Sequence, residues 1–267
     1  MNKLLVILII LAGLYFLKKR NEKFENSKIH FMSKQELIDF FKADKDDYIK
    51  NLSKYDYMAL KADDGSDYLN KITNAASDFT DQEKEKLTKA CEEADRFILN
   101  MKPIKYVNKE KLYNLKWIIG KTVGRAYEDG YPHTRIDKIF IPDRLLKHPL
   151  KEITRTMLHE KVHVYSRMFP EEMDKWLKYN GYRRHRMFKE YPLGRSNPDV
   201  DGYVYIDPEG NETLAQFNTL TPKGIDDAVY PGKYDYKAEH PNETLAYFID
   251  YMYANEPFEL EHFVKIQ

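Results

Sequence analysis

The stretch HEKVH, His159 to His163, constrains this chain more than any other feature of its sequence. On a helix it sets the two histidines about 40° apart around the axis and one turn apart along it, so both imidazoles lie on one side. Imidazoles placed in this way can be two ligands of a tetrahedral zinc ion. Glu160 is rotated by about 100° from His159, beside such an ion and within reach of a water. Zinc acidifies that water and a carboxylate can take its proton, so these residue types at this spacing suit attack on a carbonyl. The flanks predict a helix from near Pro149 to about Met168, ended by Pro170. Ile153, Met157, Leu158, Val162, Val164 and Met168 form its apolar flank, and the histidines fall on the other side with Thr156 and Ser166. Lys161 interrupts the apolar arc.

A catalytic zinc needs a third protein ligand and keeps its fourth position open. The longer pattern HExxHxxGxxH is excluded, because Ser166 and Phe169 stand where its glycine and third histidine would be. Glu243 in EHPNETLAYFIDY is the leading candidate: Pro241 and Asn242 mark the start of a second helix reaching about Ala254, and a glutamate in its first turn can point at a metal on the first helix. Glu239, His240 and Asp201 compete for the role. Without a metal, Glu243 reads as an acidic residue favoured by the helix dipole.

HEKVH followed downstream by Asn242 and Glu243 at a helix start resembles the zincin metallopeptidases, in the branch whose third ligand is a glutamate, such as thermolysin-like enzymes. The resemblance implies Zn2+ bound by His159, His163 and Glu243, with Glu160 as general base. The thermolysin-like pattern also has an aspartate four residues after the ligand glutamate, supporting the first histidine. Here that position is Tyr247, with Asp250 nearly one turn further on, so the support of His159 differs. Four segments, GYPHTRIDKIFIP, TMLHEKVHVYSRMFP, GRSNPDVDGYVY and EHPNETLAYF, are similar to uncharacterised metallopeptidase-like proteins of large DNA viruses. That similarity implies that His133, Arg195, Asn197 and Asp199 line the cleft. Asp137 to Ile141 is then the edge strand along which an extended substrate lies. Tyr203, Tyr205 and His240 are candidate donors to the oxyanion formed at the attacked carbonyl.

The rest of the chain sets the frame. Lysines plus arginines and aspartates plus glutamates number 43 each among 267 residues, so nothing electrostatic argues for nucleic acid as a partner. The one cysteine, Cys91, excludes an intramolecular disulfide and a cysteine-rich zinc site, and its place on an apolar stripe argues for packing. Residues 1–20 carry an uninterrupted apolar run from Leu4 to Leu17 followed by Lys18, Lys19 and Arg20, with no small-residue cleavage site. This predicts an N-terminal transmembrane anchor with the main body on the cytosolic side, and the similarity to proteins of large DNA viruses implies that the membrane can be viral or that of a virion. A polar tether (21–32) leads to a helical accessory lobe (33–100) with capping boxes at Ser33 and Thr80, and then to a catalytic domain (101–267). Within that domain 116–123 and 135–142 read as strands, and 181–241, rich in proline and glycine, reads as loops.

The expected architecture is therefore α+β: a zincin-like metallopeptidase domain with an N-terminal helical lobe and a single membrane anchor helix. The expected function is that of a membrane-anchored, zinc-dependent peptidase acting on a peptide or protein substrate. The alternative is a catalytically inactive zincin-fold structural or scaffolding protein of a membrane or virion.

Overall fold

Short polar residues ahead of apolar periodicity decide where the helices begin. The computed structural model describes residues 28–230 and 235–265. After β1 (Ile29–Phe31), helix α1 (Lys34–Ala43) is capped reciprocally: Ser33 accepts the Glu36 backbone N–H, and the Glu36 carboxylate accepts the Ser33 N–H. Helix α2 (Tyr48–Asn51) follows, and α3 (Lys54–Ala59) repeats the capping box with Ser53 and Asp56. Next come α4 (Gly65–Ala75), β2 (Ala76–Ser77) and α5 (Asp81–Asn100), the last capped by Thr80 and Glu83. Helix α6 (Lys109–Asn114) leads into β3 (Trp117–Thr122), β4 (His133–Arg135) and β5 (Lys138–Pro142). The HEKVH helix is α7 (Leu150–Met168), with α8 (Pro170–Asn180) directly after it. Five short strands, β6 (Arg183–Met187), β7 (Tyr203–Ile206), β8 (Glu212–Thr213), β9 (Gln216–Phe217) and β10 (Ala228–Val229), precede α9 (Pro241–Ala254).

The main sheet has the order β1-β3-β5-β4, with β2 also on β3. The β1-β3 and β3-β5 pairs are parallel, whereas β2-β3 and β4-β5 are antiparallel. Strand β5 shows why both faces are covered: Ile139 and Ile141 point into a core built with α5, α7 and α9, and Phe140 points into a second core with α1 and α4. On the second face α1 packs close, for a Cβ added at Gly120 would lie 2.4 Å from Leu37 Cδ1. Residues 33–100 thus supply a strand, a core helix and one covering layer to the same body as the segment after 101. Cys91 is fully buried on the inner face of α5, and burial raises its thiol pKa far above the ordinary value.

Two expectations are corrected here. The fold is a mixed α/β arrangement, about half helical with small sheets, rather than an α+β body hung from a membrane anchor. Among the described residues no helix is long and apolar enough to cross a membrane. The long ones, α5 and α7, are charge-rich, and the most apolar, α9, has 14 residues, about 21 Å against a ~30 Å hydrocarbon core. The Leu4–Leu17 run on which the anchor rested lies outside the described residues. The transmembrane helix and the membrane or virion localisation built on it are therefore not carried further.

The second correction concerns strands. Asp137 to Ile141 is not an edge: β5 is hydrogen-bonded to β3 on one side and β4 on the other, and the outermost strand on this side of the sheet is the three-residue β4, itself buried. Residues 181–241 hold a three-stranded antiparallel sheet (β6-β7-β8) and a two-stranded one (β9-β10) where loops were expected.

Helix α7 is buried almost all round. Ile153, Met157, Leu158, Val162 and Val164 face the core as expected, but Met168 is exposed, and His163 and Ser166 are buried because α9 packs over the side that carries them. Lys161 has a structural explanation. Fully buried, it donates to Asp95 Oδ1 at 2.7 Å and to the Tyr113 carbonyl at 3.2 Å, and its Nζ lies 3.9 Å from the centre of the Trp117 ring.

Candidate metal centre

Helices α7 and α9 bring three donor atoms together. His159 Nε2 and His163 Nε2 lie 2.9 Å apart, and Glu243 Oε2 is 3.3 Å from the first and 3.5 Å from the second. Donors held at zinc–ligand distances around a tetrahedron are separated by about 3.3–3.5 Å, so this triangle has nearly the size the ion requires. The donor set, two imidazoles and a carboxylate, is also one that zinc takes, and among the described residues it is the one such cluster of histidine, cysteine and carboxylate donors.

The helix ends explain the placement. Pro241 occupies the first turn of α9, and His240 caps it by accepting the Asn242 N–H at Nδ1. Glu243 then stands in the first turn, pointing across at α7. Its other oxygen, Oε1, accepts Asn197 Nδ2 at 3.1 Å, which fixes the carboxylate's rotation. Asn197 also donates to Glu239 Oε1 at 2.6 Å, and Glu239 binds Arg195 through both oxygens at 2.8 and 2.9 Å. Next to Asn197, Ser196 is moored by its N–H and its hydroxyl to the Asp56 carboxylate of α3, each at 2.9 Å.

Charge follows this geometry. Burial alone would lower the His159 pKa, but its hydrogen bond to Glu243 and the negative charge there raise it to about 9. Burial opposes ionisation of Glu243, yet the positive charge of His163 and hydrogen bonds to both histidines hold it well below the usual carboxylate range. At Glu160 burial outweighs the opposing charge of His159. Burial pushes its carboxyl up to about 7, and its Oε2 accepts a hydrogen bond from Thr134 Oγ1 at 2.9 Å. Asp199, buried beside it and accepting the Thr134 N–H, is raised well above its ordinary value by burial and by the negative charge of Glu160.

Asp250 of α9 faces His159. Its Oδ2 lies 3.8 Å from His159 Nδ1, and Oδ1 is held by Arg155 Nη2 at 2.7 Å. Seven residues along a helix come within about 20° of the same face, so a carboxylate two turns on can serve. At 3.8 Å the pair is longer than a hydrogen bond, and the Nδ1 atoms of both histidines have no hydrogen-bond partner among the described residues. Tyr247 packs its ring edge-on against His159, centroids 4.4 Å apart. Asp250→Asn should weaken zinc binding by about 10–100-fold, the usual effect of losing a ligand's supporting carboxylate. Competition with a chelating dye measures this, and an unchanged affinity would show that Asp250 does not support His159.

His159 and Glu243 of the triad line a cleft of about 760 Å³, while His163 is fully buried. His133, Arg195, Asn197 and Asp199 all line it, as do His159, Glu160, Glu239 and Glu243. The expected oxyanion donors do not. His240 uses both nitrogens elsewhere, Nδ1 on Asn242 N–H and Nε2 on Asp201 Oδ1 at 3.3 Å. The Tyr205 hydroxyl donates to Asp201 Oδ2, and Tyr203 stacks under the Arg184 guanidinium. None of these residues, nor Asp201, borders the cleft, whereas Tyr230, Tyr236 and Tyr247 do. Thr134 and Arg155 also belong to the site and carried no sequence signal, since each acts through a partner far away in the chain. Comparison with protein-family models, curated proteins and solved structures found no match.

Proposed function

We propose that the chain is a zinc-dependent hydrolase of peptide bonds, in which His159, His163 and Glu243 hold the metal and Glu160 is the general base. The observation that carries the reading is the triangle of three donor atoms, 2.9 to 3.5 Å on a side, beside a cleft that His159, Glu243 and the buried Glu160 line. Zinc, held there by His159, His163 and Glu243, would supply Lewis acidity. Glu160, with a pKa raised by burial, is placed to take a proton from the water and pass it to the departing amine. Thr134 orients that carboxyl, and Asn197 holds Glu243 with one oxygen turned to the histidines. Tyr230, Tyr236 and Tyr247 are the donors available to the oxyanion in place of Tyr203 and His240. The peptide class of substrate comes from the resemblance of HEKVH and its downstream glutamate to the HExxH metallopeptidases.

The test begins with metal. Purified wild-type chain should carry about one zinc per molecule by elemental analysis, and His163→Ala should carry almost none. Wild type should also cleave members of a mixed peptide library, read by mass spectrometry. Wild-type chain without stoichiometric zinc would sink the reading, and zinc without any cleavage would leave the chain a zinc-binding scaffold.

A further inference from the structure

The cleft is far more acidic than the chain as a whole. Eight carboxylates and two guanidiniums line it, and no lysine does. Both guanidiniums are engaged by the protein's own acids: Arg155 by Asp250 and Glu256, Arg195 by Glu239. Glu128 is different. It is 3% exposed, its Oε1 accepts the Tyr68 hydroxyl at 2.6 Å, and among the described residues no cation forms an ion pair with it. Burial raises its pKa above the ordinary carboxylate value. The backbone that carries it is unusual too: Glu128 and Asp129 have φ of 44° and 49°, a left-handed conformation that side-chain-bearing residues rarely adopt. Arg125 clamps Asp129 in place with hydrogen bonds of 2.9 and 2.6 Å.

A second group on the same cleft points the same way. His133 is 1% exposed, and its Nδ1 lies 3.0 Å from the Tyr131 carbonyl, which can only accept, so the ring proton is on Nδ1. Nε2 is then a bare acceptor, and it is buried without a hydrogen-bond partner. Burial holds the ring's pKa at about 3, so it stays an acceptor at neutral pH. Glu128 feels the charge of Arg195 but forms no ion pair with it, and the imidazole has no donor, so a group rich in N–H bonds would complete both. Tyr131 and Tyr230 line the same cavity, and the Tyr131 ring already carries the Arg144 guanidinium, 5.2 Å from its centre.

We propose that Glu128 and His133 form a specificity subsite that receives a basic side chain, lysine or arginine, of the bound peptide. The identification of the ligand as a peptide rests on the hydrolase reading above. Arginine satisfies the subsite best, since its planar fork can give one N–H to the carboxylate and another to the imidazole.

The test reads binding directly, so that it does not depend on cleavage. A fluorescent hexapeptide with one arginine, and the same peptide with citrulline, which keeps the shape and loses the charge, are titrated against full-length, zinc-loaded Glu160→Gln protein. The arginine peptide should bind about 10–100-fold more tightly, the worth of a charge-assisted hydrogen bond. Adding Glu128→Gln should bring the two peptides level, and an unchanged zinc content and urea midpoint separate lost recognition from a damaged fold. Equal binding of the two peptides by the Glu160→Gln protein, or no binding of either, overturns the proposal. Wild type that cleaves both peptides at equal rates overturns it while leaving the hydrolase reading intact. An arginine preference without any cleavage supports the subsite and counts against the hydrolase.

Discussion

Glu160→Gln is expected to keep the zinc and the fold and to lose peptide hydrolysis by about 10²–10⁴-fold, the contribution of a general base. The amide has the shape of the carboxylate, and its oxygen can still accept the Thr134 hydroxyl, so packing at this buried position is undisturbed. What it lacks is basicity. The three donor atoms belong to other side chains, so metal content should not change. A carboxyl whose pKa burial has moved to about 7 is matched to neutral pH, basic enough to take a proton and still about half ionised. Zinc per chain and kcat/KM measured on the same preparation decide the matter. If the variant cleaves at the wild-type rate, the base is another group, and Asp199, which shares Thr134 with Glu160, is the first to examine.

The second large effect is on stability. Lys161→Ala should cost about 3–5 kcal/mol, because removing one partner of a buried ion pair strands the other. The lower end is the better figure, since Asp95 Oδ2 keeps Lys28 at 2.7 Å and Trp117 Nε1 at 3.2 Å. Urea unfolding should show a lower midpoint with an unchanged slope, and a loss below about 1 kcal/mol would show that the pair does not secure α7. The pH dependence has a definite sign. Burial, opposed by the Asp95 charge, lowers the Lys161 pKa to about 8, below its value in the unfolded chain. Between about pH 8 and 10.5 the unfolded state therefore holds more protons at this site, and its contribution to stability rises with pH. Lys161→Met should lack that rise.

The parts of the site that were legible from the sequence are those carried on helices. HEKVH has a spacing that only a helix makes meaningful, and Pro241 announces the helix start that presents Glu243. Asp250 was legible in principle, since seven residues preserve a helical face as well as four do. Lys161 shows how a blemish can inform: a lysine in an apolar arc signals a buried partner, but nothing local names Asp95, 66 residues away. The small sheets were hidden for a physical reason. Strand β6 reads RRHRM and is exposed throughout, so it lacks the alternation that marks a half-buried strand, and β8, β9 and β10 are two residues each. The rim strand β4 has three residues, and which strand lies outermost depends on pairings that periodicity does not encode. The membrane anchor is a different case: the run that predicts it lies outside the described residues, and no described helix is long and apolar enough to cross a membrane.

The mooring of Ser196 on Asp56 extends the reach of the metal centre. Asp56 already closes the capping box of α3, so one carboxylate serves a helix start and a loop at once. From that loop Asn197 reaches Glu243, and the relay runs Asp56, Ser196, Asn197, Glu243. Linkage between two equilibria is reciprocal. If occupancy of the donor triad tightens this relay, then strain applied at α3 loosens the grip on the ion by the same factor. The grip on the ion would then work as a strain gauge for a helix that contributes no ligand to it.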